Sequence, residues 1–164
     1  MRNTLKLMMG LVLLCGLMLA GCQPTTGLYL GAKALPATVV PLPDALKAEQ
    51  HWRDLYVRVD YRIQQQGNRL TATGVFSFAD YPQLNMARVQ DFKLKLFLLN
   101  KDQLVVDYLD LYRTLGHSLR DGMAFSKTLE ISPEVTALSF GYEGDFIDDN
   151  GTRDHAWKLP KRHF

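Results

Sequence analysis

The sequence predicts an all-β protein, an antiparallel β-sandwich of about seven strands that follows an N-terminal signal and a proline-containing tether. Apolar and polar residues alternate with a period of two over much of residues 52–164. Turn residues interrupt this alternation at short intervals, and no apolar pattern of helical period extends over three turns. Short strands with turns at this spacing are typical of a β-sandwich.

The N-terminus has the parts of an export signal. Arg2 and Lys6 form a basic start, residues 7–19 are uncharged and mostly apolar, and the small residue Gly21 ends the segment. The apolar run is shorter than the roughly 20 residues that a membrane-spanning helix needs. We therefore expect residues 1–21 to be removed as a signal peptide.

The motif Leu19-Ala20-Gly21-Cys22 closes this segment and resembles the lipobox of bacterial lipoproteins. The resemblance implies cleavage between Gly21 and Cys22, and a diacylglyceryl group with acyl chains such as palmitate on the Cys22 thiol. Several acyl chains anchor a protein stably in a membrane. Gln23, rather than Asp, follows the cysteine, so the resemblance also implies an outer-membrane anchor, and we expect the domain to face the periplasm.

Composition limits what the mature chain can bind. The chain has 19 Lys and Arg against 17 Asp and Glu, and loss of Arg2 and Lys6 would leave 17 of each in 143 residues. This length suits one domain, and the balanced charge argues against nucleic acid as a partner. Cys15 would leave with the signal and Cys22 would carry lipid, so we expect no disulfide and no cysteine-ligated metal.

Residues 22–51 are the predicted lipidated N-terminus and tether. Prolines favour extended backbone here, and residues 23–44 could reach at most about 70 Å. Apolar residues within 28–42 indicate that part of the tether packs on the domain. Pro43-Asp44 followed by residues 45–50 predicts a short capped helical turn. The prolines of this segment are Pro24, Pro36, Pro41 and Pro43.

Two hairpins open the domain that we expect over residues 52–164. Alternation over residues 55–63 and 70–78, with Gln66-Gly67-Asn68 between them, predicts the first hairpin. Residues 92–99 and 104–111 form the second, joined by the polar residues 100–103.

Three further strands complete the predicted fold. Alternation resumes over residues 123–131, and Ser132-Pro133 ends that strand. Residues 138–146 form the next strand, and a last short strand contains Trp157 and Leu159. Together these strands predict an immunoglobulin-like sandwich.

Residues that carry chemistry are scattered along the chain. The four histidines show no metal-ligand spacing. The stretch Gly116-His117-Ser118-Leu119-Arg120 matches four of the five positions of a nucleophile elbow, but Arg120 replaces the second glycine and the strand-turn-helix context is missing. We therefore expect no catalytic residue, no metal and no cofactor.

Acidic and amide residues crowd into residues 145–154, as they do in calcium loops. The spacing around Gly151 does not fit an EF-hand, and Asn150-Gly151 is typical of a hairpin turn. We expect a turn, with irregular calcium ligation as the alternative.

The second hairpin is apolar on both faces, although one sheet face of a sandwich should meet water. Either residues 28–42 of the tether fold back over the second apolar face, or a partner protein covers it. The residues of this candidate partner patch are Phe97, Leu99, Val105, Leu109 and Leu111.

The sequence thus predicts a lipid-anchored envelope lipoprotein that acts as a non-catalytic binding or assembly-accessory module, with an envelope protein as partner. Two alternatives stay open. One is a small envelope hydrolase with polar residues on separate loops, and the other is a surface-exposed ligand-binding or adhesive module.

Overall fold

A computed structural model describes residues 28–161, which form nine strands and two short helices. The predicted signal peptide, with Gly21 and Cys22, lies outside the described residues. A 3-10 turn at Pro36–Thr38 precedes the first strand. The elements are β1 (Val39–Pro41), α1 (Leu42–Ala45), β2 (Gln50–Arg53), β3 (Val57–Gln66), β4 (Arg69–Phe78), α2 (Asp80–Asn85), β5 (Arg88–Leu99), β6 (Val105–His117), β7 (Met123–Glu130), β8 (Ala137–Ile147) and β9 (Arg153–Lys158).

The strands form two antiparallel sheets, which confirms the predicted sandwich. The first sheet has the order β2-β3-β4-β7. In the second sheet, the order is β6-β5-β8, and both β1 and β9 pair with the remaining edge of β8. The pairs β4–β7 and β5–β8 join non-consecutive strands of the two sheets, as the B–E and C–F pairs do in immunoglobulin-like sandwiches.

The main core lies between the two sheets and is rich in aromatic rings. Alternate residues of β3, β4, β5 and β8 point into it because successive side chains of a strand face opposite sides. Phe76 stacks on Phe92 with ring centroids 5.4 Å apart, and Phe78 meets Phe92 edge to face at 5.0 Å. Such pairs add to the stabilisation from burial itself.

Two features differ from the sequence prediction. Strand β1 and the first two residues of β2 lie within the predicted tether, yet β1 pairs with β8 and β2 pairs with β3, so the sandwich begins before residue 52. After β4 the chain forms the short helix α2, whereas the sequence predicts no helix between the two hairpins. Neither helix within residues 28–161 is long and apolar enough to cross a membrane.

Candidate functional site

The outer face of the second sheet carries the second apolar surface that the sequence predicts, and the N-terminal segment covers part of it. Phe97, Leu99 and Val105 are at most 2% exposed. Together with three alanines, these residues form a second buried cluster. The alanines are Ala32, Ala34 and Ala137, and four partly buried side chains pack against the cluster: Tyr29, Val39, Tyr108 and Leu159. The candidate patch is therefore not open to a partner at Phe97, Leu99 and Val105.

Leu109 and Leu111 lie on the opposite face from the one predicted. The pairing of β5 with β6 shifts register between Leu94 and Lys95, and again between Leu98 and Leu99. Each bulge places an extra residue on β6, which turns the following side chains to the other face. Leu111 is buried in the core between the sheets, and Leu109 packs against it.

Tyr29 attaches the N-terminal segment to the second sheet. Its ring meets Phe97 and Tyr108 edge to face, with both centroid distances at 5.2 Å. The Lys95 ammonium lies 5.6 Å from the Tyr29 centroid and 5.4 Å from the Tyr108 centroid, and it donates to Asp110. Burial, with a smaller effect from the nearby Glu143 carboxylate, raises the pKa of Tyr29 to about 12.

Backbone hydrogen bonds continue this attachment at one end of the sandwich. The Gly31 N–H donates to the Val105 carbonyl at 2.8 Å, and the Ala34 N–H donates to the Gln103 carbonyl at 3.0 Å. Lys33 pairs with Lys161 through both backbone groups. We call this end, where residues 31–34 meet the β5–β6 turn, the proximal end.

The other half of the outer face is charged, and its carboxylates lie beside basic side chains. Lys93 donates to Glu143 at 2.8 Å, and His155 Nδ1 lies 2.8 Å from Asp145. The Asp91 carboxylate lies 3.9 Å from the Lys93 Nζ and also 3.9 Å from the Arg113 Nε. Within residues 28–161 no group of three or more His, Cys, Asp or Glu is placed to hold a metal ion.

Asp54 connects the two sheets at their β2 and β9 edges. Its carboxylate is buried and accepts from the Tyr142 hydroxyl at 2.8 Å and the Lys158 ammonium at 3.1 Å. It also accepts from the backbone N–H groups of Tyr56 and Val57. Burial and the bond to Asp54 raise the pKa of Tyr142 above its ordinary value. These contacts suit a structural tie rather than a binding site.

The acidic residues of 145–154 are held by hydrogen bonds of the β8–β9 turn. The Asp148 carboxylate accepts from the backbone N–H groups of Asn150 at 2.9 Å and Thr152 at 2.7 Å. Gly151 has a φ of +82°, as a tight turn of this kind requires. Asp154 accepts from the Tyr56 hydroxyl at 2.6 Å. A hairpin turn accounts for this cluster.

A groove lies at the end of the sandwich opposite the proximal end, which we call the distal end. Arg88 of β5 pairs with Ile147 of β8, and Val89 pairs with His117 of β6, so the first residues of β5 meet the last residues of its two neighbours. This register brings α2, the β6–β7 connection and the β8–β9 turn together. In variable domains the loops at one end of the sandwich form the binding surface.

The distal groove has a volume of about 790 Å³ and combines apolar side chains with two arginines and one carboxylate, that of Asp149. Leu84 of α2 is 82% exposed. Arg88 and Arg120 are exposed, and neither has an ion pair with any residue in the described part of the chain. The lining residues are Gln83, Leu84, Met86, Ala87, Arg88, Gly116, Ser118, Leu119, Arg120 and Asp149.

Local hydrogen bonds fix the position of α2 beside this groove. The Gln83 amide donates to the Phe78 carbonyl at 2.7 Å, and the Asn85 amide donates to the Tyr81 carbonyl at the same distance. Just after the helix, the Ala87 N–H donates to the Ile147 carbonyl at 2.8 Å. Leu84 is therefore exposed on a supported element and not at a loose loop tip.

Reasoning from sequence missed this groove because its residues come from three separate connections. The stretch 116–120 attracted notice only as an incomplete nucleophile elbow. It forms the end of β6 and the following connection, where Ser118 is exposed and its Oγ accepts from the Arg120 N–H at 3.2 Å.

No known protein-family model matches the chain, and no curated protein is significantly similar to it.

Proposed function

We propose that the protein is a lipid-anchored lipoprotein of the bacterial envelope, and that it acts without catalysis as a binding or assembly-accessory module. Its anchor is the acylated Cys22, in the outer membrane with the domain facing the periplasm. Its binding site is the distal groove, and its partner is an envelope protein that presents an acidic, partly apolar surface.

The unpaired arginines of the distal groove carry this proposal. Arg88 and Arg120 are both exposed and line the same groove, and neither has an ion pair with a described residue. A guanidinium binds carboxylates in two parallel hydrogen bonds, which favours an acidic partner. Leu84 beside them supplies apolar area, and a few such groups at the centre of an interface dominate its affinity.

The experiment is site-specific photo-crosslinking in cells that produce the full-length lipoprotein. A photoreactive residue replaces Leu84 in one variant and Leu46 in another. Leu46 is 39% exposed just after α1, beside the β3–β4 turn and away from the distal groove, and serves as the control position. We expect a discrete protein adduct from position 84 and none from position 46.

Charge reversal then tests the arginines. Arg88→Glu and Arg120→Glu should each abolish the adduct from position 84, because the acidic partner would meet a like charge. Arg69→Glu is the matched control, since Arg69 is exposed and has no ion pair among residues 28–161. An adduct that survives both groove substitutions, or the lack of any adduct at position 84, would contradict the proposed site.

A further inference from the structure

The N-terminal segment leaves the fold on the outer face of the second sheet. Tyr29 packs on Phe97 and Tyr108 of that face, and Leu28 is the first described residue. Only residues 23–27 separate Leu28 from Cys22. Even fully extended, the chain from Cys22 to Leu28 reaches at most about 20 Å. If Cys22 carries the lipid, this face of the domain lies beside the bilayer.

Exposed apolar side chains gather where the segment leaves the face. Leu28 is 67% exposed and Leu30 is 40% exposed, on either side of Tyr29. Trp157 of β9 is 49% exposed and lies on the same face, since its neighbour Ala156 points into the core and its partner is Glu143. Tryptophan and leucine at such a position favour the interface between lipid headgroups and acyl chains.

Two lysines beside these side chains have no carboxylate partner in the described part of the chain. The Lys161 ammonium lies 4.6 Å from the Trp157 ring centroid, and Lys33 is joined to Lys161 through the backbone. Neither lysine has an ion pair with a described residue, whereas Glu143 and Asp110 of the same face are bound to Lys93 and Lys95. Unpaired lysines next to exposed apolar groups complement anionic headgroups.

We infer that this surface, formed by Leu28, Leu30, Lys33, Trp157 and Lys161, rests on the membrane that holds the lipid anchor. The inference deepens the proposed function and depends on acylation of Cys22. It fixes the orientation of the sandwich, with the outer face of the second sheet toward the lipid and the distal groove open at the side.

Tryptophan fluorescence tests this contact directly. The full-length lipidated protein is placed in vesicles of phosphatidylethanolamine and phosphatidylglycerol, with or without lipids that carry bromine near the headgroup end of their acyl chains. The chain has two tryptophans, and Trp52 is only 8% exposed within the sandwich. Comparison with Trp157→Phe therefore isolates the emission of Trp157.

We expect brominated lipid to quench Trp157 and to leave Trp52 nearly unchanged. Leu28→Asp should reduce the quenching, because it places a charge in the contact, and Leu84→Asp at the distal end should not. Both positions are largely exposed, so neither change should unfold the domain.

Mass spectrometry of the same sample separates the two claims. A protein that carries diacylglyceryl on Cys22 but shows no quenching of Trp157 overturns the membrane contact and leaves the anchor in place. A protein without lipid on Cys22 overturns the anchor and, with it, the contact.

Discussion

Substitution of Tyr29 should destabilise the whole domain, although Tyr29 lies only one residue from the start of the described chain. Tyr29→Ala removes two edge-to-face ring contacts and one contact with the Lys95 ammonium. An aromatic pair contributes about 0.5–1.5 kcal/mol and a cation–π contact about 0.5–1 kcal/mol. We therefore expect the free energy of unfolding to fall by about 2–3 kcal/mol.

Urea denaturation of the purified protein measures this change in the free energy of unfolding. In a separate thermal unfolding experiment, the melting temperature should fall by roughly 5–10 °C for a domain of this size. Leu28→Ala is the matched control, because the neighbouring Leu28 is 67% exposed and its truncation should cost less than about 0.5 kcal/mol. In a double-mutant cycle, Tyr29→Ala and Phe97→Leu should couple by about 0.5–1.5 kcal/mol. If Tyr29→Ala unfolds like Leu28→Ala, the N-terminal segment does not dock on the second sheet.

Three further predictions concern Asp54, Gly141 and the ionisation of Tyr29. Asp54→Ala leaves the Lys158 ammonium and the Tyr142 hydroxyl without their buried acceptor, so it should cost about 3–5 kcal/mol in urea denaturation; a cost below about 1 kcal/mol would contradict the structural tie. Gly141→Ala should cost about 1–3 kcal/mol, since a Cβ there would lie 2.5 Å from the Lys158 carbonyl oxygen and 2.7 Å from the Phe97 ring; an unchanged melting curve would show that the ring does not lie over this glycine. The fold raises the pKa of Tyr29 from about 10 to about 12, so the neutral phenol contributes its full stabilisation below pH 10, and this contribution is lost as the pH rises through 12. Absorbance titration of the protein, compared with that of Tyr29→Phe, should show no tyrosinate from this residue near pH 10. Tyrosinate from Tyr29 at that pH would refute the buried environment.

The sandwich was predictable because its strands alternate cleanly. β3, β4, β7 and β8 each place apolar side chains on one face, and the two-residue turn at Gly67, with a φ of +63°, fixes the register of β3 and β4. These signals are local, so the sequence contains them directly.

The sequence does not predict which side chains of β6 point into the core, because a β-bulge depends on the pairing with the partner strand. Leu109 and Leu111 belong to an apolar run in which either face could be buried, and only the pairing with β5 decides between them. The same holds for β1, a strand of three residues that contains Pro41 and exists through its pairing with β8. In sequence, residues 39–51 look like part of a tether, whereas in the fold β1 and the start of β2 belong to the two sheets.

The distal groove was hidden for a different reason. Arg88 and Arg120 look like ordinary surface residues in sequence, because the lack of an ion pair is a property of the folded surface. Leu84, Arg88 and Arg120 come together only through the pairing of β5 with β6 and β8. Binding residues often lie on loops, and only the folded scaffold brings such loops together.

The location of the protein and the orientation of its domain both depend on the attachment of lipid to Cys22. Mass spectrometry of the N-terminal peptide, released from protein in the membrane fraction, detects this lipid. We expect a mature chain that begins at Cys22 and carries diacylglycerol in thioether linkage on Sγ. A chain that begins at another residue, or that has an unmodified Cys22 thiol, would contradict this expectation.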